Sequence, residues 1–160
     1  MEWNEPIYDR TQADVNYALQ KIAEWLRGNI AGNASSVKDL KGCLNVSDIN
    51  RIEGNIEYLG NLLADHGYRV SVFTKSWTND DLPNQGDVER ILNNVRSLLD
   101  SYYTHPASPS VPDNMLSYED VNAVEQSLFL IKELLDCMVA SSRTCDTFQS
   151  GSTMCLPLRR

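Results

Sequence analysis

The chain has 160 residues, 42% of them hydrophobic, with 14 Lys and Arg against 22 Asp and Glu for a net charge of −8. That length suits one domain or two small ones, and an isoelectric point near 4.7 without a dense basic cluster argues against the positive patch that nucleic acid or an anionic membrane surface requires. The longest aliphatic and aromatic run, Leu128-Phe129-Leu130-Ile131, falls far short of the roughly 18 to 20 residues of a membrane span.

The opening Met1-Glu2-Trp3-Asn4-Glu5-Pro6 carries acids and a proline where a secretory leader has a basic and then an apolar region. Cytoplasmic synthesis is therefore the expectation. The first predicted helix starts at Thr11-Gln12-Ala13-Asp14, an N-cap residue followed three positions later by an acid that answers the cap's own amide. The same opening recurs at Asn45 with Asp48, at Asn84 with Asp87 and at Ser117 with Asp120, so four helices are predicted. Each acid also lies at the positive end of its helix dipole.

Counted from each Asp, apolar residues fall on one helical face. They are Val15, Ala18, Ile22 and Trp25 in the first helix, and Ile49, Ile52, Ile56 and Leu59 in the second. Val88, Ile91, Val95 and Leu98 form the third stripe, and Val121, Val124, Leu128 and Ile131 the fourth. The stripe assigns Trp25 to the core.

The anchors Asp14 and Asp87 are 73 residues apart, and Asp48 and Asp120 are 72 apart. We read an internal duplication, with related halves at about residues 11–67 and 84–139. The predicted architecture is all-α, a four-helix bundle of two duplicated helical hairpins occupying residues 1–140. Between the second and third helices, Tyr68 to Pro83 begins with strand-like alternation, but a lone strand has no sheet to join unless a partner supplies one. We read it as extended. Three prolines between Pro106 and Pro112 make the next link a stiff strap. Residues 141–160 lose the apolar period and are predicted to be a loosely ordered tail.

Candidate chemistry is sparse. Cys43, Cys137, Cys145 and Cys155 form no close-spaced pair for zinc. We read them as reduced thiols, with Cys137 buried on a helix and a Cys145 to Cys155 bond left open. The repeated Asp-x-Asn-x-x-Glu, at Asp48, Asn50 and Glu53 and again at Asp120, Asn122 and Glu125, resembles a carboxylate metal site or an acid/base pair. A di-iron bundle pairs its Glu with a His three residues on, and neither His66 nor His105 stands so. Capping and interhelical hydrogen bonding explain the repeat better, with Asn50 and Glu53 flanking the apolar stripe. No catalytic residue, metal site or cofactor is assigned, since no nucleophile elbow, zincin or phosphate-loop pattern occurs. Trp3, Trp77, Phe73 and Pro83 lie outside the helices and are the candidate partner-binding residues; for Trp3 and Trp77, sealing the bundle is the favoured role.

The run Asn45-Val46-Ser47-Asp48-Ile49-Asn50-Arg51-Ile52-Glu53-Gly54-Asn55-Ile56 and its echo Leu116-Ser117-Tyr118-Glu119-Asp120-Val121-Asn122-Ala123-Val124-Glu125 carry a resemblance. So do Trp3-Asn4-x-Pro6 and the stretch from Trp77 to Val95. Over roughly residues 3–139 the chain resembles small helical proteins encoded with the tail genes of phages and prophages of Gram-positive gut bacteria. That resemblance implies a non-enzymatic structural component of a tail, baseplate or tail-fibre region. It would form a homo-oligomer with other tail proteins as partners, made in the host cytoplasm and carried in the virion. The second class is a soluble bacterial interaction or regulatory module, such as an antitoxin-like or chaperone-like adaptor. A carbohydrate-processing hydrolase is the third, and it needs paired carboxylates in a cleft.

Overall fold

A computed structural model describes residues 2–28 and 39–145, the last four by their backbone alone. Among the described residues the fold is all-α with four helices: α1 (Gln12–Leu26), α2 (Val46–Asp65), α3 (Gln85–Ser101) and α4 (Tyr118–Cys145). Each begins two residues before its anchor Asp, so all four start in one register. α4 continues through Ser141 to Cys145, beyond the predicted boundary at residue 140, because nothing in Ser141-Ser142-Arg143 breaks a helix. Residues 146–160, including Cys155, and residues 29–38 lie outside the described set.

The core is drawn from α2, α3 and α4. The predicted stripe residues of α2 and α4 are all buried, as are Ile91, Val95 and Leu98 of α3. These three helices pack pairwise. Trp77 and Met115 enter the same cluster from the connections, while no α1 residue belongs to it. Ala18 is the buried residue of α1, and Trp25 is 39% exposed, contrary to its expected core placement.

Side-chain contacts establish the helix directions. Near their starts, Arg90 of α3 reaches Glu53 of α2 at 2.6 Å and Arg51 of α2 reaches Glu125 of α4 at 2.7 Å. Beyond the far ends of α2 and α3, the Tyr68 and Tyr102 rings meet with centroids 5.0 Å apart. Further along α4, Lys132 stands 5.7 Å from the Tyr58 ring of α2. Helices α2, α3 and α4 thus run parallel, and the hairpin expected of α3 and α4 is replaced by an extended return, like the one that joins α2 to α3. The connections 66–84 and 102–117 are long enough to carry the chain back to the starting end, a freedom that short hairpin loops lack.

The first return lies close against α2. A Cβ on Gly60 would stand 2.8 Å from Val72, so the absence of a side chain there permits the approach. The segment 68–77 is extended, but no strand forms among the described residues. Gly42 brings the segment before α2 against α1, where a Cβ would fall 2.1 Å from the Asp14 carbonyl oxygen. Backbone cannot yield there as a side-chain tip can. Gly42→Ala is expected to cost about 1 to 3 kcal/mol, the range for overpacking, and to lower helical signal as α1 detaches; urea unfolding followed by circular dichroism checks both.

Candidate functional site

A buried polar centre sits where the starts of α2 and α4 meet the N-terminal segment. Glu125 on α4 is 0% exposed. It accepts hydrogen bonds from the Ile7 amide at 2.7 Å, from Arg10 Nη2 at 3.0 Å, and from Arg51 Nε and Nη2 at 3.0 and 2.7 Å. Asp48 accepts from Arg10 Nη2 at 2.9 Å and from Arg51 Nη2. Arg10 Nη1 donates to the Ile7 carbonyl, folding the segment onto itself, while its buried Nε has no hydrogen-bond partner. Two carboxylates and two guanidiniums thus neutralise one another inside the molecule. Buried charge is tolerable only on such terms.

A related pair lies between α2 and α3, where Glu53 accepts from Arg90 Nη1 and Nη2 at 3.0 and 2.6 Å and from the Trp77 indole at 3.1 Å. In both cases an Arg three residues past its helix's anchor meets a Glu five past the anchor of the neighbouring helix. On the third side the same positions hold Ala123 of α4 and Leu92 of α3. The arrangement is a threefold pattern with two ionic sides and one apolar side.

Four asparagines complete the site, each holding one residue of an extended segment by its main-chain amide and carbonyl together. Asn55 accepts from the Asn4 amide at 3.0 Å and donates to the Asn4 carbonyl at 2.7 Å. Asn122 holds Arg10 in the same way at 3.3 and 2.9 Å. Asn94 holds Phe73 at 3.1 and 2.8 Å, and Asn50 holds Trp77 at 2.8 and 2.9 Å. A carboxamide presents a donor and an acceptor side by side, as a strand edge does. The lone extended segments therefore satisfy their backbone from helix side chains instead of from a sheet. Running against the helices, residues 3–10 pass Tyr58, Asn55, Glu125 and Asn122, and residues 72–77 pass Gly60, Asn94, Glu53 and Asn50. The two segments follow equivalent tracks.

No family model matches this chain, and no curated protein or solved structure matches it.

The capping residues are engaged at all four helix starts. Thr11 and Asp14, Asn84 and Asp87, and Ser117 and Asp120 each exchange two reciprocal bonds of 2.8 to 3.3 Å. At α2 the Asn45 amide donates to Asp48 at 3.0 Å, while the Asn45 side chain turns back to the Leu40 and Cys43 carbonyls. Of the candidate partner residues, Trp77 is buried and seals the bundle, and half-buried Trp3 meets the Tyr58 ring at a tilt of 55° with centroids 5.7 Å apart. Phe73, 70% exposed, and Pro83 remain on the surface. Cys137 is exposed, against its expected burial, because it sits on the outer side of α4 beside Asp136. His66 closes α2 with Nδ1 2.8 Å from the Leu62 carbonyl, and His105 Nδ1 accepts from the Ala107 amide at 3.1 Å. Among the described residues, no group of three or more His, Cys, Asp or Glu is placed to hold a metal, and no helix is long and apolar enough to cross a membrane.

Glu53 lies deeper than the flank predicted for it, and its counterpart Glu125 is buried as well, since the Arg side chains arrive from neighbouring helices to meet them. Sequence reasoning missed Arg10, Arg51, Arg90, Asn55 and Asn94. One signal was available: Asn55 and Asn94 each stand seven residues after their anchor, inside helices where Asn is a poor former.

Burial alone would raise the Asp48 carboxyl, but the Asn45 amide and the guanidiniums of Arg51 and Arg10 outweigh it and hold it below the usual 3.8. Burial opposes the charge of Arg51 and its bonds to Glu125 and Asp48 restore it, raising its pKa. A carboxylate with a depressed folded pKa contributes stability above its unfolded value and loses it as pH falls through the folded one. The urea midpoint is therefore expected to hold above pH about 4 and to fall below it. In Asp48→Asn the plateau should be lower and the acid slope flatter.

Proposed function

We propose that this chain is a non-enzymatic structural or adaptor component of a phage or phage-like tail, in the baseplate or tail-fibre region. The observation that supports the reading most is how the buried charge is used. Arg10, Asp48, Arg51 and Glu125 neutralise one another and lock the N-terminal segment across α2 and α4, which is the work of a scaffold. Pinning extended segments with buried ion pairs and asparagine amides gives a rigid frame whose loops are available to neighbours. The sequence resemblance set out above points to the same particle. In that role the protein assembles with other tail proteins and with copies of itself, and it travels from the host cytoplasm into the virion.

The test is a deletion of the gene in a lysogen, with particles imaged and adsorption measured. Incomplete tails or lost adsorption, together with the protein found in purified particles, is the expected result. Complete tails with unchanged adsorption would sink the reading and leave the bacterial regulatory or adaptor module. A gene neighbourhood holding a toxin or regulator in place of tail genes would point the same way.

A further inference from the structure

We propose that the groove between α2 and α4 is an exchange site between copies, in which residues 3–10 of one copy take the place of the same residues of another. The occupant is the one the structure itself seats there. Asn55 and Asn122 hold its backbone at Asn4 and Arg10, Glu125 accepts its Ile7 amide, and the Arg10 side chain enters between Asp48 and Glu125. None of these bonds depends on which chain the segment belongs to, so a second copy's segment makes all of them equally well.

Charge selects this segment. Without Arg10 the groove keeps the carboxylates of Asp48 and Glu125 against the guanidinium of Arg51, which leaves one negative charge unmatched where burial demands balance. A guanidinium answers it better than an ammonium does, because Nη2 bridges the two carboxylates at 2.9 and 3.0 Å while Nη1 donates to the Ile7 carbonyl. Residues 72–77, on the equivalent track, contain Lys75 and no arginine.

The groove is also the segment's main anchorage. Residues 3–9 supply no buried hydrophobic side chain, with Trp3 half-buried against the core and Tyr8 37% exposed. The helix that follows, α1, buries Ala18 and adds nothing to the core cluster. Residues 72–77 differ, since they bring Trp77 into that cluster and lie between two helices built into it. Lys41 and Gly42 do touch the start of α1 and pair with Asp9 and Asp14, and a second copy offers the same contacts. The fifteen residues from Arg27 to Lys41 extend to about 50 Å, against about 22 Å for the fifteen residues of α1, so the chain is long enough to set α1 and residues 3–10 on a neighbour. A chain's own groove competes at an effective concentration of about 1 mM, which copies held side by side in an assembly match. Reciprocal exchange closes a dimer, and exchange passed from copy to copy grows a ring or a chain.

This deepens the self-assembly of the proposed tail component and rests on that reading for the crowding of copies; it is tested on purified protein, so its failure and a failed deletion phenotype are separate results. In full-length chains with Cys43, Cys137, Cys145 and Cys155 replaced by Ser, one chain carries Tyr8→Cys and a second, isotope-labelled, carries Phe129→Cys. These two rings lie 5.4 Å apart where the segment meets α4. The chains are unfolded in urea, mixed, refolded together at about 1 mM and joined with a short bismaleimide. Mass spectrometry should find the 8–129 link between a labelled and an unlabelled chain, in a yield that rises with the refolding concentration. A chain bearing both cysteines gives the link within itself and calibrates the reagent. Adding Arg10→Glu to the first chain should lower the yield between chains tenfold or more. Asn55→Ala in the second should lower it severalfold, and this variant carries the test if Arg10→Glu fails to fold by circular dichroism. No 8–129 link between chains, or a yield that neither change lowers, would overturn the proposal. The second of these outcomes would mean that chains meet through their outer surfaces.

Discussion

Glu125→Gln is expected to be among the most destabilising single changes, by about 3 to 5 kcal/mol, the range for breaking a buried ion pair from one side. The carboxylate faces Arg10 and Arg51 together and also accepts the Ile7 amide. A carboxamide of the same shape retains one acceptor, sets an NH2 against two guanidiniums, and leaves two positive charges opposite Asp48 alone. Urea unfolding at pH 7 should show the midpoint fall with the slope retained. Removing the charges together should do less harm. Arg10→Met, Asp48→Asn, Arg51→Ala and Glu125→Leu combined are expected to cost less than Glu125→Gln by itself, since no uncompensated charge of either sign then remains buried. The molecule already contains such a version, with Ala123 and Leu92 at the third of its three equivalent sides. If the quadruple variant proves the worse of the two, the centre contributes net attraction beyond mutual neutralisation.

The helix starts and buried stripes were legible because they are local. A cap residue with Asp three positions on, followed by apolar residues at helical spacing, places a helix whatever packs against it, and all four begin where Thr11, Asn45, Asn84 and Ser117 predict. Direction was not legible. A capping box marks where a helix begins and says nothing of which neighbour lies beside it, so hairpins and parallel returns share one pattern. The returns are possible because Asn50, Asn55, Asn94 and Asn122 supply the hydrogen bonds that a lone extended segment otherwise lacks. Each clasp joins residues 21 to 112 positions apart, beyond the reach of any local signal. The apolar period of α1 is as clear as that of the others, yet Trp25 and Leu26 stay on the surface. Periodicity identifies an amphipathic face and does not say how completely that face is covered.

Trp77 separates a sealing role from a partner-binding one. Its ring is buried in the cluster, its indole donates to Glu53, its backbone is held by Asn50, and Lys75 stands 3.9 Å above the ring. Trp77→Ala is expected to cost about 3 to 5 kcal/mol, as large-to-small changes of buried aromatics do, and to release the return segment from α2. Trp77→Phe keeps most of the volume and removes the N–H, so its loss should be nearer about 1 kcal/mol. Combined with Glu53→Gln it should cost less than the sum of the two single changes, because both act on one bond. Phe73 stands four residues earlier and is gripped by Asn94 through its backbone alone, with its ring in solvent. Phe73→Ala should therefore leave stability within about 0.5 kcal/mol. A stability loss at Phe73 matching that at Trp77 would mean the return segment packs through its side chains. Small effects at both would return Trp77 to the candidates for binding a partner.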